Sequence, residues 1–300
     1  MNKFIRIFLG MISAGLIVLI VGLYYLTENV LPYSPIKPSR LKHSRIINSS
    51  NIEQFDIIVE DSIKLKGLFI HSTAGQNTKP LGTVILLHGS SNSMESQYDL
   101  AQVLSKNGFN AIVFDLRAQG ESGGTYCTFG FYEKYDVSRY IDAAIKKYKD
   151  VEPFAIMGHS LGGAIAIQAM AIDKRIKCGI ISSTFTSLKE VTYEYMKRYT
   201  GIPFKFISDR SLKNSERIAR FPVQMVSPEE YAKKVYQPTL LIHGTMDKNI
   251  PIIHGKRIFS NLNSKEKQWY AVKGADHNNL WTIGGIGYQE RIIKFLKDNI

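Results

Sequence analysis

The sequence predicts an α/β protein: a mostly parallel central sheet with helices on both faces, a small helical cap, and one apolar helix in front of it. Three observations carry this. From Ile52 onward, short apolar runs of strand length alternate with amphipathic runs of helical period almost throughout, the pattern of strands joined by crossover helices. At FAIMGHSLGGAIAI, Phe154 to Ile167, an apolar run becomes a helical one at Ser160, with Gly158, Gly162 and Gly163 crowded around it. Glycines there let a strand and a helix close on a sharp turn that displays a side chain. Finally, Ile7 to Leu26 carries no charge and matches the roughly 20 residues that cross a bilayer as a helix.

Residues 1–6 are a short basic segment containing Lys3 and Arg6, and 7–26 read as an uncleaved signal anchor. The run ends in Leu23, Tyr24, Tyr25 and Leu26, where a cleaved signal peptide would place small residues, and the tyrosines suit a membrane interface. Lys3 and Arg6 favour a cytoplasmic N-terminus with the bulk of the chain on the extracytoplasmic side; Lys37, Arg40, Lys42 and Arg45 argue the opposite sense. Residues 27–51, with TENVLPYSPIKPSRLKHSR, read as an extended Pro- and Lys-rich linker.

The main domain spans 52–300. QFDIIVE and IKLKGLFIHS alternate apolar and polar residues around Asp61 and Ser62, as an antiparallel hairpin does. TVILLH, Thr83 to His88, is the continuous apolar run of a parallel strand buried on both faces. SMESQYDLAQVLSKNG reads as a helix closing on Gly108, followed by the strand NAIVFD, Asn110 to Asp115. A helix around Lys134 to Tyr148, the strand FAIMG, the helix from Ser160 and the strand KCGIISS, Lys177 to Ser183, come next. PTLLIHG and QWYAVKG are the later strands, with a helix over Ile252 to Phe259 between them and a final helix near Tyr288 to Leu296. Residues 187–236 interrupt the alternation; rich in Tyr, Phe, Met and basic residues, they read as a mostly helical cap over the carboxyl ends of the strands.

Across 300 residues, 44% hydrophobic and 21% charged is an ordinary globular balance. The net charge of +12 is spread along the chain with no nucleic-acid motif, so no nucleic-acid partner is expected, and the excess suits an anionic membrane surface or a solvated exterior. Cys127 follows a glycine-rich loop and Cys178 begins a strand, opposite ends of such a sheet, which predicts neither a disulfide nor a metal site.

Ser160 lies in G-H-S-L-G, a match to the G-x-S-x-G elbow between strand and helix. A serine hydroxyl needs a neighbouring base, and that base needs a carboxylate to orient it. Asp247 in LLIHGTMDKNIP and His277 in VKGADHNNL follow in that order, each just past the carboxyl end of a predicted strand. Asp276, next to His277, is the rival acid, disfavoured because immediate neighbours rarely point the right way. Acyl transfer also creates an oxyanion, for which the expected backbone donors are the amides of Leu161 and Ser90, with Gly89 allowing close approach; the side chains of His88 and Ser90 read as loop-shaping. His43, His71, His159, His243 and His254 form no H-E-x-x-H or similar cluster, so neither a catalytic metal nor another cofactor is expected. Among the cap residues Tyr193, Tyr195, Met196, Tyr199, Phe204 and Phe206, most are expected to pack and one or two to face substrate. Trp281 either lines the pocket or packs under the last helix.

HGSS, DLRAQGESGG, GHSLGG, GTMDKNIP and GADHNN, in this order, resemble the α/β-hydrolase fold family, and more narrowly its membrane-anchored serine-peptidase-like or acyl-hydrolase branch. The resemblance covers residues 52 to 300 and implies the α/β-hydrolase fold, with Ser160 as nucleophile, Asp247 as acid and His277 as base. It also implies that Asp115 and Arg117 support a loop beside the site. Ala118 and Gln119 depart from the pattern, since many relatives carry a glycine and often a histidine there. The expected function is therefore a serine hydrolase acting on a small-molecule or acyl substrate, cleaving a carboxylic ester or thioester through an acyl-enzyme, and tied to the membrane by its N-terminal helix. A serine peptidase for short peptides and a non-catalytic membrane-anchored binding domain are the alternatives. A haloalkane dehalogenase is disfavoured because it needs a carboxylate where Ser160 stands.

Overall fold

The computed structural model describes residues 3–44, 49–75, 78–201 and 203–300, so Arg45 of the predicted linker lies outside the described residues. An eight-stranded sheet runs in the order β1 (Ile52–Gln54), β4 (Gly67–Ile70), β6 (Phe109–Phe114), β5 (Gly82–Leu87), β7 (Phe154–His159), β8 (Ile176–Ser182), β9 (Thr239–Gly244), β10 (Lys267–Val272). The β1–β4 and β4–β6 ladders are antiparallel, and every later ladder is parallel. β2 (Ile57–Ile58) and β3 (Lys64–Leu65) form a separate antiparallel pair, so the predicted opening hairpin is divided between two sheets.

Side-chain alternation on the central strands builds two apolar layers. Ile85, Leu87 and Ile156 face the side covered by α4 (Glu133–Lys147), α5 (Leu161–Ile172), α8 (Pro228–Ala232) and α9 (Ile252–Asn261). Val84, Leu86 and Met157 face α3 (Tyr98–Lys106) and α10 (Leu280–Asn299). α5 is buried continuously from Leu161 to Met170, which is why its sequence is apolar all round rather than striped.

The predicted cap comprises α6 (Leu188–Thr200), α7 (Lys205–Ala219), a short 3₁₀ turn and α8, placed between β8 and β9. Local signals bound α6 at both ends. Ser187 Oγ accepts the Glu190 amide at 3.2 Å, and Gly201 closes the helix in the left-handed region at φ 69°.

α1 (Lys3–Asn29) is long and apolar enough to cross a membrane. Of the extended spacer expected over 27–51, residues 45–48 lie outside the described residues, and the part directly after α1, 30–44, is packed against the domain rather than extended away from it. α2 (Tyr33–Ile36) docks on the domain, with Ile36 fully buried and its carbonyl accepting the Cys127 amide at 2.9 Å. Ser215 donates to the Pro32 carbonyl at 2.7 Å, and His43 Nε2 meets Asp115 Oδ2 at 2.7 Å. The prolines make the segment stiff, and the apolar side chains between them find buried partners, which a composition argument does not reveal. The last helix also differs: α10 begins at Leu280, ahead of the expected Tyr288, with Gly285 non-helical at φ 53°. A glycine tolerates that backbone and so lets one helix run into the next across a kink.

Candidate active site

The elbow is built from close backbone contacts. A Cβ at Gly158 would lie 2.2 Å from the Gly162 carbonyl oxygen, and one at Gly162 would lie 2.3 Å from the Leu87 oxygen, so β5, β7 and α5 meet only because both positions lack side chains. Gly89 is different, since an added Cβ would sit an ordinary 3.6 Å from the Ser160 Cβ; clearance there does not require glycine. Ser160 itself has φ 55° and ψ −116°, an unfavourable backbone for a residue with a side chain. It is held there by its amide donating to the Ser182 carbonyl at 2.9 Å and by Thr184 donating to its own carbonyl at 2.8 Å.

Loops after β7, β9 and β10 bring Ser160, Asp247 and His277 together. Ser160 Oγ is 3.0 Å from His277 Nε2, and His277 Nδ1 is 2.7 Å from Asp247 Oδ2. The other Asp247 oxygen accepts the amides of Asn249 and Ile250, at 2.9 and 2.8 Å. Burial opposes ionisation of Asp247, but the His277 hydrogen bond and charge, with the Ile250 amide, outweigh it and hold the carboxyl below its ordinary value. Asp276, the rival acid, instead accepts the amides of Asn278 and Asn279, which shapes the turn carrying His277.

Ser90 and Leu161 line the same cavity as Ser160. As the first residue of α5, Leu161 has an amide that the helix ladder cannot use. His88 is buried, with Nδ1 on the Gly89 carbonyl and Nε2 accepting the Leu116 amide at 3.0 Å, so it shapes the loop after β5. Asp115 accepts the amides of Met94 and Glu121, and Arg117 pairs with Asp136 at 2.5 Å, which makes both of them supports.

Several contributors lie outside the sequence reading. His159 packs its ring on His277, centroids 4.8 Å apart, and burial, with His277 beside it, pushes its pKa down to about 3. It therefore stays neutral near pH 7. Ala118 takes φ 61°, a region that favours glycine, and Gln119 accepts the Ser91 amide at 2.8 Å, tying this turn to the loop that holds Ser90. The departure at Ala118 and Gln119 was the available signal for the second contact; no local pattern marks the first. His243 Nε2 donates to the Ile250 carbonyl at 2.8 Å and so braces the Asp247 loop.

A cavity of about 360 Å³ adjoins Ser160. Among the described residues its lining includes Phe129, Phe185, Leu188, Tyr195 and Met196 and contains no charged side chain. Of the cap residues, Tyr195, Met196 and Tyr199 face it; Tyr193 donates to the Pro203 carbonyl, and Phe204 and Phe206 remain exposed. Trp281, on the first turn of α10, lies edge-on to Tyr288 at 6.0 Å against the apolar layer on that side of the sheet and is not part of the lining. Cys127 and Cys178 are buried free thiols.

Glu190, Glu194 and His254 bring ligating atoms within 4.8 Å of one another. Their atoms already serve each other and the cap. Arg257 and Thr186 both donate to Glu190 at 2.7 Å, Thr186 also meets His254 Nδ1, and His254 Nε2 meets Glu194 at 2.9 Å. The group ties α6 to α9.

The alpha/beta hydrolase fold family model matches residues 82–230. The uncharacterised protein YfhR of Escherichia coli K12 is 28% identical over 249 residues, covering 81% of this chain and 80% of that protein. The Pyrococcus furiosus esterase Pf2001 superposes with a TM-score of 0.71 at 23% identity, covering 89% of this chain and 99% of that one. A monoacylglycerol lipase of Paleococcus ferrophilus superposes at 0.56 and 21% identity, covering 78% of this chain and 98% of that one. With the parallel sheet, the serine on the β7–α5 turn and the family match over that region, the chain belongs to the α/β-hydrolase fold family.

Proposed function

We propose that this protein is a serine hydrolase that cleaves carboxylic ester or thioester bonds, tethered by α1 with its hydrolase domain on the extracytoplasmic side. In this reading residues 7–26 span the bilayer, 27–51 join it to the domain of 52–300, and 187–236 cap the site. The observation that carries the reading is the unbroken hydrogen-bonded series from Ser160 Oγ through His277 to Asp247, 3.0 and 2.7 Å. An esterase and a monoacylglycerol lipase among the similar folds support hydrolysis as the reaction type.

Ser160 Oγ attacks the acyl carbonyl carbon as His277 Nε2 takes its proton, and Asp247 stabilises the imidazolium through Nδ1–H. The tetrahedral oxyanion is held by the amides of Leu161 and Ser90, where loss of one donor costs about 10²- to 10³-fold in rate. Collapse breaks the bond to the leaving oxygen or sulfur, which receives the proton from His277. Water then gives a proton to His277 and attacks the acyl-enzyme, freeing the carboxylic acid and restoring Ser160. An uncharged lining favours an acyl chain over a short peptide, whose charged termini would be desolvated without partners.

The test is labelling of the detergent-solubilised full chain by a fluorophosphonate, with Ser160→Ala as the comparison. Labelling that disappears in the variant supports the reading. An unlabelled parent chain, beside a serine hydrolase that labels, refutes it in favour of a non-catalytic domain.

A further inference from the structure

The cavity beside Ser160 is not closed by the hydrolase domain alone. Leu31, Ser34, Pro35 and Pro38, which come directly after α1, line it together with Tyr199 at the end of α6 and Ser211 on α7. The same face of α7 grips the end of α1: Arg210 pairs with Glu28 at 2.5 Å and lies over the Tyr24 ring, and Asn214 donates to the Thr27 carbonyl at 3.0 Å. Phe206, one turn before Arg210, therefore projects along the side of α7 that runs beside α1.

Phe204 and Phe206 are 56% and 65% exposed with their rings 5.9 Å apart, and Tyr199 is 71% exposed. Lys197 on α6 and Lys205 and Lys213 on α7 are exposed as well. Exposed aromatic rings on helices that also carry exposed lysines, next to a helix of membrane-spanning length, match an element that sits at a bilayer interface.

We propose that Leu31–Pro38 is a wall of the acyl-binding cavity and that the cavity is loaded from the bilayer, with Phe204 and Phe206 seated in the interface. The substrate class is a membrane-resident ester with a long, uncharged acyl chain. This rests on the hydrolase reading above. It also means that a form lacking residues 1–45 loses part of its acyl site along with its anchor.

The full chain reconstituted in phosphatidylcholine vesicles is assayed with p-nitrophenyl palmitate in the bilayer and p-nitrophenyl butyrate in solution. Phe204→Ser/Phe206→Ser lowers palmitate turnover about tenfold and leaves butyrate turnover unchanged. Leu31→Trp, which fills the wall, lowers the palmitate-to-butyrate ratio of kcat/KM about tenfold. Where Leu31→Trp yields no folded protein, Pro35→Trp reads the same wall. Parent-like palmitate turnover in the double variant, or a parent-like ratio in the wall variant, overturns the inference while leaving Ser160-dependent butyrate hydrolysis intact. No turnover of either ester by the parent, or parent-like turnover by Ser160→Ala, instead overturns the hydrolase reading.

Discussion

Replacing Gly162 with alanine sets two physical effects against each other, and the structure decides between them. In a helix, alanine is favoured over glycine by about 0.5–1 kcal/mol, so propensity alone makes Gly162→Ala stabilising. The added Cβ would lie 2.3 Å from the Leu87 oxygen and 2.8 Å from the His88 oxygen. Neither contact can be relieved by a rotamer change, because both partners are backbone of β5 and of the loop after it. The start of α5 must move by roughly 1 Å, at an overpacking cost of about 1–3 kcal/mol, and a displacement of that size beside the reacting atoms costs about 10²-fold in rate. Gly287 is the control: it lies in α10, and an added Cβ meets nothing within 4 Å. Thermal unfolding and p-nitrophenyl ester turnover of the full chain in one detergent give the comparison. Gly287→Ala is expected to raise the melting temperature slightly and keep parent turnover. Gly162→Ala is expected to lower both by a clear margin. A Gly162→Ala variant that matches Gly287→Ala in both measurements refutes the close-packing account of the elbow.

On the proposed mechanism, Asp247→Asn removes the charge that would orient His277 and stabilise its imidazolium, so kcat is expected to fall by about 10³-fold or more with substrate affinity little changed; steady-state kinetics that leave kcat near the parent value argue against Asp247 as the acid. His277→Ala abolishes fluorophosphonate labelling, whereas His159→Phe, which keeps a ring against position 277, retains it; the reverse result would move the base to His159. Burial pushes the Lys134 ammonium down to about 8, and its Nζ donates to the Phe131 carbonyl at 2.8 Å. Here the folded value lies below the unfolded one of about 10.4, so the unfolded chain binds more protons between them and stability rises with pH across that window. Urea unfolding at a series of pH values should show this rise in the parent and a flatter profile in Lys134→Met, and identical slopes would contradict it.

Ser160, Asp247 and His277 were legible in the sequence because each belongs to a local pattern. Ser160 has its glycines and its change from strand to helix, while Asp247 and His277 each follow an apolar run of strand length. Parallel strands put their carboxyl ends on one edge, so residues just past separate strands converge without any signal linking them in sequence. The departure at Ala118 and Gln119 was legible as a departure, but its consequence was not, since the Gln119 bond to Ser91 joins loops far apart in the chain.

By itself the sequence determined the alternating strands and helices, the uncharged run over 7–26, the elbow and the order of Ser160, Asp247 and His277, all properties of residue type and short-range period. Only the tertiary structure decided that the segment after α1 is packed against the domain rather than extended, that His159 lies against His277, and that Leu31 and Tyr199 share one cavity. These depend on which surfaces meet and how closely. Hydrophobic burial rewards any apolar surface and names no partner, so only the shape of the assembled fold selects the contact.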